Sequence, residues 1–174
     1  MSTADGLLDA AERMIREGGY HGFSFRDLAV AVGIRSASVH HHFPTKAALV
    51  VALAERCADR FMDTVAGSAP GPARLAAYRA AFRQSLGGGG MCLFGVLGAE
   101  AGGLPVPVVD AAGRFFRRAI AHLAEGLGET PAEGERRALA ELARIEGAII
   151  LARTLRDPEL YDVAAESSGV TGLV

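Results

Sequence analysis

The chain is poor in the features that mark several large functional classes. Its two cysteines, Cys57 and Cys92, are too few for a disulfide framework, which excludes the small secreted scaffolds. It has no excess of positive charge: 18 Lys/Arg against 20 Asp/Glu leave −2 over 174 residues. That total argues against a protein that coats nucleic acid by bulk charge, although it is compatible with a local basic face. Long apolar runs are missing too. The most apolar stretch near the C-terminus, Ile145 to Leu155, is too short to span a bilayer and carries Glu146 and Arg153. The opening Met-Ser-Thr-Ala-Asp-Gly has neither the basic start nor the apolar core of a secretion signal, so a cytoplasmic location is expected.

Signatures of catalysis are equally scarce. The glycine run Gly87 to Gly90 lacks the Gly-Lys-Ser/Thr ending and the preceding strand of a phosphate loop. Serine, histidine and aspartate occur, but nothing places a nucleophile beside its base. Three consecutive histidines, His40, His41 and His42, invite a metal reading. Neighbouring helical residues point about 100° apart, so three in a row do not converge on one ion. No catalytic residue, cofactor or metal site is expected.

What remains is helix. Apolar residues recur at three- and four-residue spacing, and strand signals are almost absent. Leu7, Leu8, Ala11, Met14 and Ile15 mark one face of a first helix, stopped by Gly18-Gly19. Ser24 caps a short helix over 25–32, ended by Gly33. Ser36 is expected to cap a third, running to about Phe43, and Thr45 a long fourth over about 46–66. Further helices are expected over about 73–86, 91–101, 107–127 and 133–156, with one more turn or fraying beyond Asp157-Pro158.

The segment Phe23 to Leu49 carries the most information. Two short helices flank Gly33-Ile34, the geometry of a helix-turn-helix, and glycine permits the tight turn. Val39 and Phe43 sit four apart and face inward, which leaves Ser36, Ser38, His40, His41 and His42 for the other faces. A short helix so rich in hydroxyls and imidazoles makes sense when something docks on it. The pattern Ser24-x-Arg26-x-Leu28-Ala29-x-x-x-Gly33-Ile34-x-x-x-Ser38-Val39-His40-x-His42-Phe43-Pro44-x-Lys46-x-x-Leu49 resembles the DNA-binding domain of TetR-family transcriptional regulators over roughly residues 5–50.

That resemblance implies an all-α chain with a helix-turn-helix DNA-binding domain over 1–48. A helical ligand-binding and dimerisation domain follows over 49–174. It implies base-edge contacts from Arg35, Ser36 and Ser38, with His41 on the same helix. Phosphate contacts fall to His40, His42 and Lys46, and backbone contacts to Ser24 and Arg26. Tyrosine is usual where this chain has His40, which makes the grip on DNA sensitive to pH. The expected partner is a double-stranded, pseudo-palindromic operator released by a small molecule of unknown identity. The fourth helix would pass the signal between the domains.

The rest of the chain matches in architecture. Phe82, Leu86, Met91, Cys92, Phe94, Leu97, Glu100 and Phe116 are candidates to line the effector pocket, or simply to fill the bundle. Glu100 lies on an apolar segment and needs a partner, for which Arg79, Arg83 and Arg153 are available. Cys92 opens a helix, so a redox- or electrophile-sensing repressor is the alternative function; Cys57 reads as core. The last two long helices, about 107–127 and 133–156, hold more apolar positions than one thin core needs and are expected to form a homodimer. Gly147 and Ala148 would allow close helix approach.

Overall fold

A computed structural model describes residues 2–87 and 90–166. Every element among them is helical: α1 (Thr3–Gly18), α2 (Phe25–Val32), α3 (Ser36–His42), α4 (Lys46–Val65), α5 (Pro72–Gly87), α6 (Leu93–Ala99), α7 (Val106–Ala124), α8 (Pro131–Thr154) and α9 (Glu159–Glu166). Two single 3-10 turns, Tyr20–Gly22 and Ala101–Gly103, complete the set. The expected glycine loop falls at Gly88 and Gly89 outside the described residues.

Most helix ends follow the expected chemistry. The Thr45 hydroxyl accepts from the Ala48 amide at the start of α4. Thr130 does the same for Glu133, and Pro131 fits the first turn, so α8 begins two residues before the expected start. Two expectations fail. The segment expected as a helix over 91–101 is helical only over Leu93–Ala99, because Cys92 is its extended N-cap and Ala101 turns into a 3-10 bend. Beyond Pro158 lies a full helix rather than a frayed turn. Tyr161 and Ala165 of α9 are buried, and α9 packs on α8, so tertiary burial sustains an end too short to hold by itself.

The described chain forms two compact units. The first holds residues 1–63 and 92–118. Its core includes Leu7, Ile15, Leu28, Val39, Leu49, Leu53, Leu93, Leu97 and Phe115. Charge ties α1 to α4: the Glu12 carboxylate lies 2.8 Å from both Arg16 and Arg60 and 3.8 Å from Arg56, which also reaches Asp9 at 2.7 Å. Burial pushes the Glu12 carboxyl upward, but hydrogen bonding to Arg60 and the charges of Arg16 and Arg60 outweigh it and hold it below the usual range. The outer pairs Arg114–Glu55 and Arg118–Asp59 are exposed and contribute about 0–1 kcal/mol each.

The second unit holds residues 64–91 and those from 119 onward. Arg74 is its buried charge. Its two terminal nitrogens bond Glu125 at 2.6 Å and the carbonyls of His122 and Ser68 at 2.7 and 3.2 Å, which offsets much of the cost of burying the charge. The Tyr78 hydroxyl lies 3.2 Å from the Ala119 carbonyl, to which it donates, and 3.0 Å from His122 Nδ1. Gly134 lets α8 cross α7 closely, since a Cβ there would stand 2.5 Å from the Ala124 carbonyl oxygen. Gly134→Ala is therefore expected to destabilise the protein by about 1–3 kcal/mol through overpacking. Denaturant melts with an unchanged midpoint would contradict it.

Candidate nucleic-acid interface

The reader is built from short-range hydrogen bonds. Ser24 caps α2 in a reciprocal box. Its Oγ accepts from the Asp27 amide at 3.3 Å, and its N–H and hydroxyl donate to the Asp27 carboxylate at 2.8 and 2.6 Å. Those bonds to Ser24 hold the Asp27 carboxyl below its ordinary range. Gly33 ends α2 with φ 75°, a left-handed residue that glycine adopts without strain. The Ile34 amide then closes on the Ala29 carbonyl at 2.9 Å, the six-residue closure of a Schellman turn. This turn sets the start of α3, which packs on α2 with Leu28, Ala29 and Val39 buried.

One cap differs from expectation. Arg35, not Ser36, is the N-cap of α3, with an extended backbone (φ −78°, ψ 145°) and no capping bond from its side chain. A serine caps only where its own backbone is extended, and Ser36 is already helical. The rest of α3 sorts by face. Val39 is fully buried, Ser38 and Phe43 are half-buried, and Ser36, Ala37, His40, His41 and His42 are exposed. Arg26 and Arg35 are also exposed. The His40 ring meets the Phe25 ring edge-on at 4.8 Å, and His41 and His42 meet each other at 5.8 Å. Among the described residues no group of three His, Cys, Asp or Glu is placed to hold a metal.

Lys46 stands apart from the other expected DNA contacts. It is half-buried, and its ammonium donates to the Phe23 carbonyl while lying 4.0 and 4.8 Å from the centroids of the Phe23 and Tyr20 rings. Burial lowers its pKa, opposed by the charges of Asp27 and Glu100. Sequence reasoning missed both aromatic rings, because Tyr20 and Phe23 belong to a 3-10 turn and its exit that no periodicity announces.

The expected effector residues divide between the units. Phe82, Leu86 and Met91 belong to the second; Cys92, Phe94, Leu97, Glu100 and Phe116 belong to the first. Phe94 stacks on Phe115 at 3.7 Å between centroids, with Phe61 and Phe116 edge-on or tilted around Phe115 at 5.3 and 5.4 Å. Two open clefts are described, both in the second unit. One of about 440 Å³ is lined by Arg79, Arg83, Tyr161 and Asp162 among others, and one of about 370 Å³ by residues from Ala121 to Pro131. None of the eight expected residues lines either.

The arginine partner expected for Glu100 is also replaced. Arg79 pairs with Glu141 and Arg83 with Asp162, whereas Glu100 accepts from the Tyr20 amide at 2.8 Å. Both cysteines are buried. Burial, followed by the negative charge of Glu12, pushes the Cys57 thiol up to about 12, which makes it inert core. Among the described residues no helix is long and apolar enough to cross a membrane.

Comparison with known proteins agrees with this geometry. Residues 7–53 match the family of bacterial regulatory proteins called the tetR family. The HTH-type transcriptional regulator CymR of Pseudomonas putida is 42% identical over 55 residues, which span 32% of this chain and 27% of that protein. The match thus covers about a quarter of that regulator's length. A TetR transcriptional regulator from Legionella pneumophila superposes with a TM-score of 0.88 at 27% identity, over 95% of this chain and 94% of that one. A TetR-family regulator from Agrobacterium tumefaciens gives 0.84 at 26% identity, over 94% and 93%. The first part of the chain is thus similar in sequence to the tetR family of bacterial regulatory proteins, and its helical course is similar in structure to TetR-family regulators.

Proposed function

We propose that the chain is a sequence-specific DNA-binding transcription regulator, a repressor that works as a homodimer and is released from a pseudo-palindromic operator by a small molecule. The observation that carries this reading is α3. A helix fixed on one side by buried Val39 presents serine, alanine and three imidazoles on its exposed sides, next to exposed Arg26 and Arg35. That is the form of a recognition helix in a major groove. Residues 1–48 form the reader in this proposal and 49–174 the regulatory part. Arg35, Ser36 and Ser38 meet base edges, with His41 beside them. Ser24, Arg26, His40 and His42 meet the backbone.

Lys46 takes a different part from the phosphate contact that the family resemblance implies. An ammonium already bonded to a backbone carbonyl and lying over two rings holds the reader's shape. The effector residues proposed remain Phe82, Leu86, Met91, Cys92, Phe94, Leu97, Glu100 and Phe116. Because Phe94 stacks so closely on Phe115, a ligand there would have to displace packed rings rather than fill a void. Ligand then shifts the population toward a reader pose that does not fit DNA, with α4 as the connecting helix. Buried Cys92 gives the redox alternative no support.

For the dimer, α8 and α9 supply the surface. Leu139, Ile150, Leu151, Leu155 and Val163 are each more than half exposed, an apolar set that a monomer would leave wet. Gly147, on the same helix, has open space where a Cβ would project, so a second copy's helix can approach it closely. Apart from Val106 at its start, the outward residues of α7 include the charged Asp110, Arg114, Arg117 and Arg118, which puts the weight of the interface on α8. Two readers then meet successive major grooves about 34 Å apart.

The central test is selection of bound sites from random DNA, which is expected to return a two-fold symmetric motif; no enriched motif would end the proposal. Arg35→Ala is expected to relax one base position per half-site and to reduce affinity by about 1–3 kcal/mol; a variant that selects the parental motif removes Arg35 as a reader. Lys46→Ala should weaken binding while leaving the slope of log K against log salt unchanged. A slope reduced by about one would restore the phosphate contact. Ile150→Asp should convert the dimer to monomer in sedimentation, with the helical content retained.

A further inference from the structure

Glu100 ends α6, within the part of the chain assigned above to regulation, yet its carboxylate is engaged with the reader. Oε2 accepts from the Tyr20 N–H at 2.8 Å across 80 residues of sequence. The same carboxylate lies over Gly19, where a Cβ would stand 2.0 Å from Oε1. Gly19 closes α1, donating to the Ile15 carbonyl at 2.9 Å, with φ 76°. Tyr20 opens the 3-10 turn that leads through Phe23 to Ser24, the cap of α2. Lys46 holds that turn a second time, through the rings of Tyr20 and Phe23 and the Phe23 carbonyl. The negative charge of Glu100 is felt at the Lys46 ammonium.

One carboxylate and one ammonium, attracted to each other, thus fix residues 19–23, the joint between α1 and the helix-turn-helix. We propose that Glu100 is a positioning residue for operator reading: by holding the Tyr20 amide it sets the direction in which α2 and α3 leave α1. The proposal deepens the DNA-binding reading above and rests on it. Physically, a hydrogen bond to an ionised acceptor is stronger than a neutral one, and a half-buried amide that loses it must find water instead. Any movement of α6 that withdraws the carboxylate therefore loosens the joint directly, without unfolding either helix it connects.

A purely structural contact and a positioning contact differ in what they move. Loss of a structural contact lowers stability and weakens all DNA binding in proportion. Loss of a positioning contact changes which half-site separations are accepted. The experiment uses the full chain, its operator recovered by selection from random DNA, and the variants Glu100→Ala and Glu100→Gln. In Glu100→Ala the Tyr20 amide is expected to exchange about tenfold faster, and operator affinity to fall about tenfold. Binding to non-operator DNA should change by less than about twofold, since phosphate contacts dominate it. Selection should return a broader range of half-site separations than the parent accepts.

Glu100→Gln retains an acceptor and the side chain's shape but not its charge, so it should fall between the two and remain folded even where the alanine variant does not. Parental separations with parental operator affinity in both variants would overturn the proposal. So would an equal loss on operator and non-operator DNA, or an unchanged Tyr20 exchange rate. A parent that selects no motif fails the DNA-binding reading itself, and that result appears before any variant is made.

Discussion

A helix of seven residues does not persist alone in water, because nucleation costs more than so few hydrogen bonds return. The proposed recognition helix of this protein is such a helix, and the rest of the first unit serves to keep α3 in place. Buried Val39 anchors it on α2, and the left-handed Gly33 sets the angle between the two. The Ser24–Asp27 box fixes where α2 begins. Lys46, the chain's single lysine, binds the residue before that box. Behind these, the Glu12 carboxylate and its arginines join α1 to α4. Each support leaves the outward side of α3 uncovered, which is what a docking surface requires.

Much of this was legible in the sequence because it is local. A cap, a helix stop and an inward-facing pair are decided within a few residues, so Ser24, Gly33, Thr45 and Val39 could be placed from spacing alone. The ends of α6 and the existence of α9 were not, since burial against distant helices decides them. The cap of α3 moved by one residue because the turn, rather than the preference of serine, chose which backbone stays extended. The partner of Glu100 was the furthest out of reach. Arginines were the reasonable choice for a carboxylate on an apolar segment, but a backbone amide has no signature in sequence.

The aromatic cluster shows a different limit. Phe94, Phe115 and Phe116 read equally well as cavity lining or as filler, since both uses need large apolar side chains at helical spacing. Packing decides, and here Phe94 and Phe115 are in stacked contact. Under the proposed function, the regulator has a closed state that is well packed and an open state higher in free energy. Its sensitivity depends on the size of that gap as well as on the affinity of the ligand.

Gly19 and Glu100 carry a consequence for how this sequence can drift. The carboxylate occupies the space that any side chain at position 19 would need, and the backbone there favours glycine independently. Position 19 is not free to gain a side chain while Glu100 stays as it is. Among descendants of this chain a side chain at position 19 should not appear while Glu100 is kept, although 80 residues lie between them in the gene.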